Sequence, residues 1–355
     1  MANPQDTARR DATGNLRPVA IRRDLDQIAD LLDVAFADER RPGHGSAEGF
    51  SLLKGYGPLV ALLSPFSPSL RECFTGYVWE EKGRIVGNAS VSRLKGANEV
   101  WIVGNVGVHP DVRRHGIARL LTARAVDHAR AEGARMVVLD VREENAPALA
   151  LYTSMGFRPA GGHVQLLTSH ADALHWPPSR ARADQAAAGS NSTGDAVLQL
   201  ALEPLRRQNW EAVALLAAAC EEDMVAAANP WLDADFRPSP IGRLTWLLRE
   251  WFLGQTSGNV GAWADGHLVA WAGLQPERFA EGHRFHLRVL PAWQGQAEEG
   301  LLAWALGRLG RRPAGPLVAE VPLSQRAAIE LLEGAGLRRG TCLLRLALPL
   351  LGEPP

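Results

Sequence analysis

Apolar positions fall into alternating rhythms along the first half of the chain. Val19, Ala20 and Ile21 form a short run, after which Ile28, Leu31, Leu32 and Ala35 recur at three- and four-residue spacing. The pattern predicts a strand and then a helix capped by Asp24 or Asp26. From Arg40 to Leu70 the chain is interrupted by Gly43, Gly45, Gly55, Gly57, Pro58, Pro65 and Pro68, which predicts irregular backbone. Tyr77 to Glu80 and Ile85 to Val91, joined through Lys82-Gly83, predict an antiparallel hairpin, and Trp101 to Val108 predicts a further strand. Ile117, Leu120, Leu121, Ala125 and Ala129 mark a helix that packs one side on a sheet and stops at Gly133. Met136 to Val141 is nearly unbroken in apolar character, as in a strand covered on both faces. Asn145 then caps a helix that tolerates Pro147 in its first turn and ends at Gly156, and Val164 to Leu167 forms a closing strand.

The segment between the Trp101–Val108 strand and the helix after it carries candidate chemistry. Arg113, Gly116 and Ala118 stand in the order Arg-x-x-Gly-x-Ala at a helix start, where backbone N–H groups lack intrahelical partners. Such a loop binds phosphate. Gly116 has no Cβ to hold an anion off the main chain, Ala118 is small, and Arg113 and Arg114 add positive charge.

This loop, preceded by Val106-Gly107-Val108-His109-Pro110 and followed by Asn145-x-x-Ala148-x-x-Leu151-Tyr152 and Gly156-Phe157, resembles the GNAT acyltransferase superfamily over residues 15 to 170. The resemblance implies an α/β (α+β) fold, a mixed, mostly antiparallel twisted sheet flanked by helices. It implies acetyl-CoA as cosubstrate, with Val106, Gly107 and Val108 beside the pantetheine arm. Arg113, Arg114, His115, Gly116, Ile117 and Ala118 would lie at the pyrophosphate, with Asn145 also on the cosubstrate side. It further implies that the irregular stretch from Arg40 to Leu70 shapes an acceptor pocket.

The second half repeats the first. Leu198 to Leu205 with Trp210 to Leu216 echoes the opening strand and helix, and Trp263 to Trp271 echoes the hairpin around Gly83. Pro291 stands 181 residues after Pro110, and Gly336 stands 180 after Gly156. A repeat at that period is a duplicated domain. The copy has Gln294, Ala297 and Glu299 where the first half has Arg113, Gly116 and Ala118, which sets a carboxylate against a pyrophosphate. Gln325 and Leu332 replace Asn145 and Tyr152. Eight of the eleven Trp follow residue 200, among them Trp246 and Trp251, which suits a domain that packs against a partner or walls a pocket. The expected organisation is a disordered N-terminus over 1–15, an active GNAT domain over 16–177, a polar linker over 178–195 and a degenerate GNAT-like copy over 196–355.

Length agrees, since 355 residues exceed one ordinary core. A net charge of -1 gives no footprint for nucleic acid or acidic lipid. Cys73, Cys220 and Cys342 are far apart and odd in number, so they read as reduced thiols, and no metal site is expected. No run reaches the ~20 apolar residues of a membrane span, and Met1 to Asn15 lacks a signal-peptide core. A cytoplasmic monomer or homodimer is expected, acting on the primary amine of a small molecule or peptide.

Acyl transfer from a thioester to an amine requires a polarised carbonyl, loss of an amine proton and protonation of the leaving thiolate. Tyr152, with an ordinary pKa of about 10, is the candidate general acid, on the same side of its helix as Asn145. Asn105 sits on the acceptor side of the strand, and its amide cannot take the amine proton. Glu80, Glu81, Glu99, His109 and His163 are the titratable candidates by sequence, with a water chain to a distant carboxylate as the alternative. The reading is direct attack in a ternary complex. A non-catalytic acyl-CoA sensor, or an enzyme for longer acyl groups, would share the loop.

Overall fold

The computed structural model describes residues 15–37, 54–55, 74–94, 99–169, 200–205, 209–220, 258–275, 283–309 and 315–350. The expected linker over 178–195, nearly all of the expected acceptor region, and Cys73, Trp246 and Trp251 lie outside them. Contacts divide the chain into two units, residues 1–159 with 345–355, and residues 160–344.

Unit 1 runs β1 (Asn15–Pro18), α1 (Ile21–Ala35), β2 (Gly76–Glu81), β3 (Arg84–Arg93), β4 (Val100–Val108), α2 (Ile117–Ala131), β5 (Met136–Arg142) and α3 (Ala146–Ser154). Its strands lie in the order β1-β2-β3-β4-β5, antiparallel except for the parallel β4–β5 pair. The strand expected at Val19–Ile21 is displaced to 15–18, and Ile21 already opens α1. The cause is Asp24, whose buried carboxylate accepts the Ala20 N–H at 2.7 Å and pairs with Arg17 at 2.6 and 3.0 Å. That arrangement turns the backbone into a helix at the point where apolar content alone suggests a strand.

Two glycines let the helices close on opposite faces of this sheet. A Cβ at Gly107 would come within 3.0 Å of Leu32 and 3.2 Å of Ala35, so its absence seats the end of α1 on β4. At Gly87 a Cβ would meet Ile117 at 2.8 Å and Leu121 at 2.9 Å, so its absence seats the first turns of α2 on β3. Gly87 pairs with Val108, the neighbour of Gly107, and side chains alternate along a strand, which is why the two helices take different faces. Ile117, Leu121, Ala125 and Ala129 are buried as expected. Leu120 is 45% exposed, because the buried row follows the four-residue spacing of those residues and leaves it on the flank.

Unit 2 contains β7 (Ala201–Pro204), α4 (Trp210–Ala219), β8 (Gly258–Ala264), β9 (His267–Gln275), β10 (His283–Val289), α5 (Glu298–Leu309), β11 (Leu317–Pro322) and α6 (Arg326–Gly334). Its strands follow the order β7-β8-β9-β10-β11, again antiparallel except for one parallel pair, β10–β11. The two units therefore repeat one topology, with Phe285, Leu287, Leu301, Leu302, Leu317 and Leu332 in the core of the second.

The strand expected to close the first half does form, as β6 (Arg158–Thr168), but its residues from Ala160 on belong to unit 2. There it pairs antiparallel with β11, Val164 opposite Val321. The last strand, β12 (Arg338–Pro349), gives residues 338–344 to unit 2 and residues from Arg345 on to unit 1. In unit 1 Arg345 holds Asp140 of β5 with two bonds of 2.7 Å, and the Leu350 N–H donates to the Arg135 carbonyl at 2.8 Å.

Candidate functional site at the fork between β4 and β5

The parallel ladder between β4 and β5 covers only Val100 with Met136, Trp101 with Val137 and Ile102 with Val138. Both strands continue without pairing to each other, β4 as far as Val108 and β5 as far as Arg142. The ladder groups along the later part of β4 are thus offered to something other than β5.

On its other edge β4 carries a bulge. Gly107 pairs with Asn88 and Gly104 with Ser90, so Asn105 and Val106 together face a single residue of β3. Asn105 is left-handed at φ 49, a conformation Asn tolerates better than most residues. The Asn88 amide, 3% exposed, donates to the Asn105 carbonyl at 2.9 Å. Ser90 Oγ donates to the Gly104 carbonyl at 2.9 Å and accepts from the Asn105 side chain at 3.3 Å.

Beyond β4, His109 caps a short 3-10 turn, Pro110–Val112, by accepting the Asp111 N–H, while its other ring nitrogen lies 3.3 Å from Arg84. Arg114 at φ 72 and Gly116 at φ 79 then bring two left-handed residues into the loop, which fans its N–H groups outward ahead of α2. A Cβ built on Gly116 would meet no atom within 4 Å. Open space in front of a helix N-terminus fits a phosphate, so these residues suit the pyrophosphate implied by the sequence. Ile117 is buried beneath the loop, Ala118 is half-buried, and Arg114 and His115 are exposed. Arg113 is already engaged, with bonds to the carbonyls of Val108 at 3.2 Å and Ala35 at 3.0 Å. Its charge rests at the C-terminal end of α1, where the helix dipole favours it.

Asn145 accepts the Ala148 N–H at 3.1 Å and so caps α3. Two turns on, Tyr152 is 7% exposed and packs edge-on against Phe157 at 5.9 Å. Burial pushes its phenol up to about 12. Of the candidate bases, Glu80 pairs with Arg17 at 2.6 Å, Glu81 accepts from the Trp79 indole at 2.9 Å, and Glu99 lies 3.3 Å from Arg135. His163 falls in unit 2. Asn88 and Ser90 are absent from the sequence-based candidates, although two polar residues at alternate positions of an apolar strand, ahead of a Gly104-Asn105 break in the next strand, are the signal that points to them.

The corresponding fork in unit 2 is filled from within. The β10–β11 ladder ends at His286 with Glu320. Gln325, fully buried, accepts the Val289 N–H at 2.9 Å and donates to the Val289 carbonyl at 3.0 Å. Asn145, at the matching position in unit 1, is one methylene shorter and turns to its own helix instead. In the loop of unit 2, Gly295 at φ 83 is the counterpart of Arg114, and Ala297 replaces Gly116. The carboxylate that enters this loop belongs to Glu298, 2% exposed, which accepts the Gly295 N–H at 2.8 Å. Glu299, the residue expected from the sequence to do so, is only half-buried.

No group of three or more His, Cys, Asp or Glu able to hold a metal ion occurs among the described residues, and no helix there is long and apolar enough to cross a membrane.

Comparison with known proteins bears on the family and the fold. Residues 56–157 match the acetyltransferase (GNAT) family. Over 93 residues the chain is 36% identical to a mycothiol acetyltransferase of Saccharomonospora viridis, covering 24% of this chain and 29% of that protein. Over 56 residues it is 41% identical to a ribosomal protein alanine N-acetyltransferase of Salmonella typhimurium, covering 16% of this chain and 38% of that one. The chain thus aligns with well under half of either relative. Among solved structures, a GCN5-related N-acetyltransferase from Sphaerobacter thermophilus superposes with a TM-score of 0.57 at 16% identity, over 95% of this chain and 96% of that one. A tandem GNAT protein from the clavulanic acid biosynthesis pathway gives 0.50 at 19% identity, over 96% and 100%. These two likenesses concern the fold. What the comparisons assign is thus a domain: residues 56–157 match the acetyltransferase (GNAT) family.

Proposed function

We propose that unit 1 is an acetyl-CoA-dependent N-acetyltransferase that transfers the acetyl group to a primary amine of a small molecule or peptide. The observation that carries the reading is the pairing of an unladdered β4 edge with a loop in which Arg114 and Gly116 are both left-handed and open space lies before Gly116. The loop N–H groups hold the pyrophosphate, and the later part of β4 pairs with the pantetheine arm as an added strand would. The Val106 N–H faces the thioester oxygen and stabilises the charge that develops there. The amine nitrogen bonds to the carbonyl carbon, the C–S bond breaks, and the thiolate takes its proton from Tyr152. With a phenol pushed up to about 12, Tyr152 stays protonated at every pH used for assay. Glu80, Glu81 and Glu99 are held by Arg17, Trp79 and Arg135, and the amine proton leaves along a water chain to a distant carboxylate.

Unit 2 is read as a copy without cosubstrate. Gln325 occupies the main-chain groups at the end of β10, and Glu298 occupies its loop, so the bonds that a pantetheine and a pyrophosphate would make are made internally. The relatives named for mycothiol and for a ribosomal protein alanine support an acceptor that is an amine of a small molecule or a peptide. The test is a panel of such amines with acetyl-CoA, read as release of free CoA thiol. Amine-dependent release supports the reading. Saturable acetyl-CoA binding without release for any amine favours a sensor, and no binding removes the proposal.

A further inference from the structure

The bulge in β4 does more than interrupt pairing, because two side chains of β3 fix which way its peptide planes face. We infer that Asn88, supported by Ser90, is a positioning residue that sets the aim of the Val106 N–H; the inference rests on the acetyltransferase reading of unit 1.

The peptide bond between Asn105 and Val106 is trans, so its C=O and N–H point in opposite directions. The Asn105 carbonyl is drawn toward β3 by the Asn88 amide at 2.9 Å. The Val106 N–H must then leave from the opposite edge of β4, on the side where the ladder with β5 has already stopped at Ile102 and Val138. In a regular strand the ladder would orient this plane. Here the bulge has removed that constraint, because Ala89, the one β3 residue opposite Asn105 and Val106, has no register partner in β4. A peptide plane free of its ladder can rotate, and φ 49 at Asn105 already lies in a sparsely populated region. The Asn88 bond is what holds it. Ser90 secures the preceding carbonyl, that of Gly104, and also receives the Asn105 side chain, so that both carbonyls before Val106 are bonded to side chains of β3.

A buried amide spent on one main-chain carbonyl also has a plain structural use, since Asn88 would otherwise leave a polar group unsatisfied. The two roles predict different kinetics. If Asn88 only stabilises the fold, its loss lowers the melting temperature and leaves turnover per folded molecule unchanged. If it aims Val106, its loss acts on turnover and spares acetyl-CoA binding, which depends on the loop at Arg114 and Gly116.

The experiment uses the full chain with Asn88→Leu, close in size but unable to donate, and Asn88→Ala, which cannot overpack. Acetyl-CoA affinity is measured by calorimetry, kcat and KM by CoA release, and the Val106 amide resonance by nitrogen-15 NMR. The expected result is a displaced Val106 resonance with those of Val100 to Val103 unmoved, acetyl-CoA affinity within about twofold, and kcat lower by roughly ten- to a hundredfold, at or below the range for losing one such donor. Unchanged kcat in a folded variant, or an unmoved Val106 resonance, overturns the positioning role. Failure of the unaltered protein to bind acetyl-CoA or release CoA overturns the acetyltransferase reading itself, and is seen before any variant is made.

Discussion

Replacing Gly116 with alanine separates the backbone cost of the loop from its use. In the free protein a methyl group there meets nothing within 4 Å, so no packing is disturbed. What remains is the cost of holding a non-glycine residue at φ 79, about 1–2 kcal/mol. For a unit of this size that lowers the melting temperature by roughly 2–8 °C. The strain is the same with and without ligand, so it cancels from the affinity. The methyl group, however, stands in the space that an anion must enter to reach the loop N–H groups. Losing one hydrogen bond to a charged phosphate oxygen costs about 1.5–3 kcal/mol, or roughly ten- to a hundredfold in affinity. Gly133, which follows α2 with φ 82 and equally open surroundings, is the internal control. Gly133→Ala should show the same loss of melting temperature with acetyl-CoA affinity unchanged by calorimetry. Equal acetyl-CoA affinity in Gly116→Ala and the unaltered protein would refute the assignment of the loop to phosphate.

Tyr152→Phe should keep acetyl-CoA affinity and lower kcat by about 10²-fold, in the range of general acid catalysis. It should also alter alkaline stability: the folded phenol titrates near 12 and the unfolded one near 10, so folded Tyr152 retains a proton that the unfolded chain releases. Stability is lost as pH rises from about 10 to 12, by up to about 2–3 kcal/mol, and denaturant titrations of the phenylalanine variant should lack that share of the loss. Gly87→Ala forces Ile117 and Leu121 away from β3 and should cost about 1–3 kcal/mol by overpacking, with weaker acetyl-CoA binding because the loop rides on the same turn of α2. Burial alone would raise the Asp24 carboxyl, but its bonds from Arg17, the Ala20 N–H and Arg23 outweigh that and hold it below the usual range. Its stabilisation is therefore present above the ordinary carboxylate pKa and lost as pH falls through the depressed value, so Asp24→Asn should narrow its stability deficit in acid denaturation.

Much of the site is written locally. Lys82-Gly83 gives the hairpin turn, Asn145 its cap, Gly156 its helix end and Gly116 its left-handed loop, each because a single residue type meets a single backbone demand. The bulge at Asn105 is harder to read, since its mark in the sequence is a single three-residue step from Val103 to Val106 before the two-residue step to Val108, and the extra residue is located only by the register with β3. The opening strand was displaced because the deciding contact, Arg17 with Asp24, is a charged one that apolar periodicity does not register. The assignment of residues 160–168 and 345–349 is not legible at all in this sense. An apolar strand states that it needs neighbours, and the neighbours that β6 and β12 take depend on sheet edges formed more than a hundred residues away.

That last arrangement bears on how the polypeptide is made. A chain leaves the ribosome from its N-terminus, and residues 1–159 emerge with the outer edge of β5 bare, Asp140 without Arg345 and the Arg135 carbonyl without Leu350. The edge stays open while nearly two hundred further residues are translated, and an open strand edge is a template for pairing with a neighbouring nascent chain. A stop codon just before Arg345 would strip a strand from the N-terminal unit, while leaving β6 and residues 338–344 to the C-terminal one. A truncation at residue 345 would therefore be felt in the unit whose other strands were synthesised long before it.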